Sequence, residues 1–189
     1  MTNAYDALST LFAGEGGQEY LGEQVSMAQH MLQTGRAARA AGAPAELVVA
    51  AVLHDVGHFS GAISGRDLMS GNDNHHDAVA AEWLSTWFDE AVTEPVRLHV
   101  AAKRYLCATD PSYYDKLSDA SKFTMAVQGG VMDAAEVAAF AAEPYAQEAC
   151  RLRRFDDLGK DPDAPAVTLA DFRGDIDGLD RTLSPRSAR

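Results

Sequence analysis

Helix start and stop signals follow one another along this chain, and nowhere do apolar and polar residues alternate between hairpin turns. That pattern leaves one fold class, an all-α domain. From Glu19 to about Ala41 the segment is rich in Ala, Leu, Met and Gln, and Gly42 stops it. Pro44 suits the first turn of a second helix through LVVAAVLHD, with Gly57 as its stop. Asn74 and Asp77 read as a cap pair for a third helix, whose stripe is His76, Val79, Ala80, Trp83, Leu84 and Trp87. Thr93 or Glu94 opens a fourth, with Pro95 in its first turn and Val96, His99, Val100 and Lys103 on one face. Ser118 begins a short fifth that Gly129 ends, and Asp133 with Glu136 caps the next. Pro144 restarts a helix running toward Asp157, and Thr168 to Leu179 forms the last. The Gly- and Ser-rich stretch from Phe59 to Asp73 reads as a mobile loop. DRTLSPRSAR after Leu179 reads as a frayed tail, giving one domain over 1–180 and a disordered 181–189.

The chain has 189 residues, 47% of them hydrophobic, enough to bury one core of ordinary size. Sixteen Lys and Arg stand against twenty-eight Asp and Glu, a net charge of -12. So acidic a chain has no general field for gripping nucleic acid or an anionic membrane. A small-molecule or protein partner is expected, and an anionic ligand must be met by a few local cations. No run approaches the ~20 apolar residues of a spanning helix. MTNAYDALSTLF lacks the basic and apolar regions of a secretory signal. Cys107 and Cys150 are too few for a disulfide framework, so the expected compartment is the reducing cytoplasm.

All six histidines fall between His30 and His99. His54 and Asp55 end an apolar helix, where an ionisable pair is costly if buried without partners. A metal removes that cost, because imidazole and carboxylate suit iron, manganese or zinc. His75 beside His76 implies that one is exposed, and the stripe with Val79, Trp83 and Trp87 selects His76 as inward. His99 sits between Val96 and Val100 on its own stripe. A single inward histidine is usually a satisfied core residue. Inward histidines on three separate helices point instead to a metal centre.

The order His30, His54-Asp55, Asp156 resembles the HD-domain superfamily, an all-α bundle whose H…HD…D ligands hold a divalent metal. His76 and His99 match its two-metal subset. The resemblance implies that Asp55 bridges, with His30, His54 and Asp156 on one ion and His76 and His99 on the other. A shared anion between two cations is sound electrostatics. The strings YLGEQ, LHDVGH, HVAAKRYL, KLSDASKFTMAVQGGVMD and RRFDDLGK extend the likeness over nearly the whole chain. They resemble the HD-type oxygenases that cleave carbon–phosphorus bonds with a mixed-valent Fe(II)/Fe(III) pair. Membership implies a small 1-hydroxyphosphonate and O2 as substrates, with oxidation at the carbon bearing hydroxyl and phosphorus. Phosphate and a carboxylic acid are released.

The same resemblance assigns further residues. Lys103, Ser121 and Arg153 match phosphonate contacts, and the registry of Lys103 with His99 and of Arg153 with Asp156 agrees with that. Read as one helix, Tyr20, Glu23, Met27 and His30 share a face. Tyr20 matches a residue thought to guard the iron until substrate arrives, Glu23 one that meets the substrate nitrogen, and His58 a histidine near the same pocket. Ser26 stands where the family enzyme for the primary amine 2-amino-1-hydroxyethylphosphonate carries Asn. A trimethylammonium has no N–H and wants room and a negative field, so Ser26 tilts the expectation to the trimethylammonio substrate, with glycine betaine as product. Two other readings stand beside this one. The first is an HD phosphohydrolase using Mg²⁺, Mn²⁺ or Zn²⁺ to activate water. The second is a degenerate HD domain acting as a metal-bound sensor, although every expected ligand type is present.

Overall fold

The helix that ends in His54 is apolar on every side, and the rest of the fold is arranged to cover it. A computed structural model describes residues 2–20, 23–59 and 75–183. In chain order the helices are α1 (Ala4–Ala13), α2 (Met27–Ala40), α3 (Ala45–Leu53), α4 (His76–Leu84) and α5 (Glu90–Thr109), then α6 (Pro111–Lys116), α7 (Asp119–Val127), α8 (Ala134–Ala141), α9 (Ala146–Asp156) and α10 (Arg173–Leu179). Short 3₁₀ turns occupy Glu15–Gln18, Val56–Phe59 and Leu169–Phe172. The all-α expectation holds: no strand occurs among the described residues. No helix among them is long and apolar enough to cross a membrane.

Every residue from Leu47 to Leu53 of α3 is buried. Helices α2, α5, α9 and α10 pack around it. Each Val or Leu buried there contributes roughly 1.5–3 kcal/mol, so the position of its C-terminal end is fixed by the strongest part of the core. The long helix α5 forms the second axis, lying against α3, α4 and α9 and carrying α6, α7 and α8 on its far half. His54-Asp55 therefore directly follows α3, and His99 lies within α5, the two axes of the packing.

Several boundaries differ from expectation, each for a local reason. Helix α2 begins at Met27, not near Glu19, because Ser26 and Gln29 form a capping box. The Glu19 carbonyl accepts the Met27 N–H at 2.8 Å, and residues 23–26 are non-helical. Asn74 lies outside the described residues, and the residue before α4 is His75, in the left-handed region at φ 46°. Helix α5 starts a turn earlier than Thr93: the Asp89 carbonyl accepts from Val92 and Thr93, leaving Pro95 inside the helix. The Asp133–Glu136 capping box forms as expected. Thr168–Asp171 caps a 3₁₀ turn that precedes α10, so the single last helix is two pieces. Two helices carried no expectation, α1 behind its Asn3 cap and α6 behind Asp110.

Of the Phe59–Asp73 loop only Phe59 is described. The chain just after Leu179 is held in place. Asp180 is buried and accepts the Ala4 N–H at 2.7 Å, and the Arg181 backbone N–H bonds to the Trp87 carbonyl. Residues 184–189 lie outside the described residues.

Candidate metal centre and adjoining cavity

Asp55, one residue beyond the C-cap of α3, projects its two carboxylate oxygens in different directions. Oδ2 lies 3.2 Å from His54 Nε2 and 3.7 Å from His30 Nε2. Oδ1 lies 3.3 Å from His76 Nε2 and 3.4 Å from His99 Nε2. Asp156, at the end of α9, closes the first group, with Oδ1 3.3 Å from His30 Nε2 and Oδ2 3.8 Å from His54 Nε2. His76 and His99 Nε2 stand 3.3 Å apart. Five elements thus bring two donor sets together, His30–His54–Asp55 and Asp55–His76–His99, each close enough to hold an ion. All six sequence-predicted metal ligands meet here.

The main chain aims the imidazoles. His54 Nδ1 faces the Ala51 carbonyl at 2.9 Å, His99 Nδ1 the Val96 carbonyl at 2.7 Å, and His30 Nδ1 the Gly159 carbonyl at 2.9 Å. Placing the proton on Nδ1 leaves each Nε2 lone pair for a metal. Burial, followed by the neighbouring His54, lowers His30 to about 4. Burial also lowers His99 to about 4 against the pull of Asp55, so both are neutral near pH 7, the form that ligates. Burial pushes the Asp55 carboxyl up, but His54, His76 and His99 outweigh it and hold it well below the usual range.

Two glycines permit this approach. A Cβ on Gly57 would strike the His76 carbonyl, and one on Gly159 would strike Thr34 and His30. Among the described residues, His54 Nε2 is buried with no hydrogen-bond partner. An orphaned imidazole nitrogen facing two carboxylates is a fault in a dry core and a ligand in a metal site. The residues present fit a pair of metal ions.

A cavity of about 90 Å³, partly open to solvent, adjoins the centre. Lys103, Arg153 and Ser121, the predicted phosphonate contacts, line it, and all three are buried. Lys103 Nζ donates to Gln128 Oε1 at 2.6 Å and Thr124 Oγ1 at 3.0 Å. Burial, and then Arg153, lowers its ammonium to about 7. Arg153 pairs with Asp156 and with Asp157 at 2.5 Å, and Tyr113 donates to Asp157 at 2.5 Å. His58, in the 3₁₀ turn after Asp55, lines the cavity and stacks on His76 at 4.0 Å between centroids.

Glu23 reaches the cavity from the non-helical residues 23–26 before α2, not from a helical face shared with His30. Tyr20 does not reach it: the residue is 63% exposed and absent from the lining. Ser26 is buried as the cap of α2, between the lining residues Val25 and Met27. Sequence reasoning missed Thr124, Gln128 and Lys160. Lys160 Nζ lies 2.6 Å from Glu23 Oε1 and 2.9 Å from Ser121 Oγ. Its position four residues after Asp156, inside the string RRFDDLGK, was the available signal.

No family model matches the chain. Over 161 residues it is 43% identical to a [1-hydroxy-2-(trimethylamino)ethyl]phosphonate dioxygenase (glycine-betaine-forming) of Leisingera caerulea, covering 85% of this chain and 82% of that one. Over 170 residues it is 38% identical to a hydroxymethylphosphonate dioxygenase of Gimesia maris, covering 85% and 81%. An uncharacterized protein of Acanthamoeba polyphaga mimivirus shares 30% over 158 residues, covering 82% and 72%. With that degree of identity over most of each chain, and a histidine–aspartate centre beside a cation-lined cavity, this protein belongs to the family of hydroxyphosphonate dioxygenases.

Proposed function

We propose that the protein is an iron-dependent oxygenase of the cytoplasm. It cleaves the C–P bond of 1-hydroxy-2-(trimethylammonio)ethylphosphonate with O2, giving phosphate and glycine betaine. The observation that carries this reading is the polarity of the cavity. Its lining combines the candidate metal ligands, the cations Lys103 and Arg153, and a carboxylate, Glu23. A zwitterion of phosphonate and ammonium finds a partner there for each of its charges. One O2 balances the conversion with no other reductant, since both products together hold the atoms of the substrate and O2.

His30, His54, Asp55 and Asp156 would hold one iron and His76, His99 and Asp55 the other. When bound, the mixed-valent pair supplies O2 activation and the one-electron chemistry. The chain's own residues do the rest. Arg153, fixed by Asp156 and Asp157, brings a guanidinium charge to the phosphonate oxygens. Lys103 adds a point charge from α5, and Ser121 adds a hydroxyl from α7. Together they turn the hydroxyl-bearing carbon toward the metal end. Glu23 offers a negative field to the quaternary nitrogen, which has no N–H to donate.

The test is a product assay on the iron-loaded protein with the trimethylammonio substrate, its primary-amine analogue 2-amino-1-hydroxyethylphosphonate, and hydroxymethylphosphonate. The expected result is O2-dependent release of phosphate, fastest with the trimethylammonio substrate and accompanied by glycine betaine. Faster release of glycine from the primary amine would move the assignment to that substrate. Hydrolysis of a phosphate ester under Mn²⁺ without O2 uptake would replace it with a phosphohydrolase.

One observation favours a second reading. Glu23 is already paired with Lys160, which lowers the need for a cationic head and would suit hydroxymethylphosphonate.

A further inference from the structure

The cation nearest Glu23 is part of the protein. Lys160 Nζ sits 2.6 Å from Glu23 Oε1, 2.9 Å from Ser121 Oγ and 3.1 Å from Ser118 Oγ. Ser118 Oγ donates to the same Oε1 at 2.7 Å. Both hydrogen bonds to Glu23 end on one oxygen, and among the described residues Oε2 accepts none. Lys160 is the neighbour of Gly159, whose carbonyl holds His30, so the metal centre anchors the backbone of this lysine. It stands between the phosphonate wall, through Ser121, and the carboxylate.

We infer that Lys160 is a specificity-determining residue, a resident counter-ion that pins Glu23 by Oε1 and sets how strongly the cavity prefers a hydroxyphosphonate with a cationic head. This rests on the hydroxyphosphonate reading above. A carboxylate left alone in the cavity would repel a phosphonate whose other end carries no charge. With Lys160 on Oε1 the pair is close to neutral, and such a substrate is tolerated. A trimethylammonium has no N–H and cannot take over the hydrogen bond of Lys160. It therefore binds in the field of Oε2 alongside the lysine and feels only the charge that Lys160 leaves unscreened. Removing Lys160 unmasks Glu23, which helps a quaternary ammonium and harms a phosphonate without one.

Two measurements on the full, metal-loaded chain under anaerobic conditions test this, followed by turnover. Calorimetric titration with tetramethylammonium should show tighter binding in Lys160→Met, by about tenfold, and titration with methylphosphonate weaker binding. In a Glu23→Gln background the tetramethylammonium gain should vanish. In turnover, the ratio of kcat/KM for the trimethylammonio substrate over hydroxymethylphosphonate should rise about tenfold in Lys160→Met and stay near wild type in Lys160→Arg, which keeps the charge. An unchanged ratio in Lys160→Met, or tetramethylammonium affinity that does not respond, would overturn the inference and make Lys160 one more phosphonate cation. Should Lys160→Met not fold, a ratio shifted tenfold in Lys160→Arg would overturn it equally. If the wild type turns over neither phosphonate, the oxygenase reading fails, while the two titrations still decide the role of Lys160.

Discussion

The two ends of the cavity are built by different means. At the metal end, His30, His54 and His99 are each oriented by a backbone carbonyl, and Asp55, shared by both donor sets, follows the most deeply buried helix. At the substrate end the contacts run from side chain to side chain: Lys103 to Gln128, Arg153 to Asp157, Lys160 to Glu23. Backbone-set geometry moves only if the fold moves. Side-chain geometry can be replaced one residue at a time. The difference teaches where chemistry and selectivity reside: the fold fixes the ligand set, and exchangeable polar residues set what is held against it. The sharpest way to break that division is at the metal end.

Asp55→Ala should have the largest effect. It removes the carboxylate that both donor sets share, leaving four imidazoles and Asp156 without an anion between them. The expected outcome is loss of both metals by elemental analysis and activity at background. Retention of a full complement of two ions would show that Asp55 does not bridge. Gly159→Ala comes next. Its Cβ would collide with Thr34 and the His30 backbone, shifting the carbonyl that orients the His30 ring. Metal affinity should fall by roughly 10- to 100-fold, the usual cost of losing a partner that orients a ligand. A normal affinity would mean that His30 is placed by its own helix alone.

The same division explains what was legible in the sequence. Metal ligands at helix ends and on apolar stripes could be read because helical periodicity is local: His76 with Ala80 and Leu84, His99 with Val96. Capping pairs were equally readable, as Asp133 with Glu136 shows. The start of α2 differs from the reading because the composition before it favours helix, whereas the capping box of Ser26 and Gln29 begins the helix at Met27, leaving residues 23–26 non-helical. Glu23 reaches the cavity all the same, and Tyr20 does not. Lys160 offered only its place in the string RRFDDLGK, because its partners, Glu23, Ser118 and Ser121, are 137, 42 and 39 residues away, and no period links them.

Acidity should also separate the two ends. His30 and His99 lie near 4, far from the working range, whereas Lys103 lies near 7, lowered from 10.5. As pH rises through about 7, Lys103 in the ligand-free protein loses its charge, and binding a phosphonate then requires proton uptake. KM should climb several-fold between about pH 7 and 9 while metal content stays constant, and Lys103→Arg should flatten the rise because guanidinium keeps its proton. The sign for stability runs the other way. The unfolded chain binds the Lys103 proton more tightly, so this residue's contribution is greatest above 10.5 and falls as pH drops through about 7. A KM flat across that range in the wild type would remove Lys103 from the phosphonate site.

The smallest effect belongs to Ser26→Asn. Its position was singled out for selectivity, yet its hydroxyl is engaged at the helix cap, accepting from Gln29 N–H and donating to Gln29 Oε1, both at 3.3 Å. Asn is as good an N-cap as Ser, so stability should change by less than ~0.5 kcal/mol. The larger side chain must then fit between Val25 and Met27, which line the cavity while Ser26 does not. If selectivity resides in the side-chain network that faces the substrate, the preference for the trimethylammonio head over the primary amine should move by no more than about twofold. A shift toward the primary amine as large as that produced by Lys160→Met would show that the helix cap reaches the nitrogen end. The backbone-built part of the site would then also contribute to choosing the substrate.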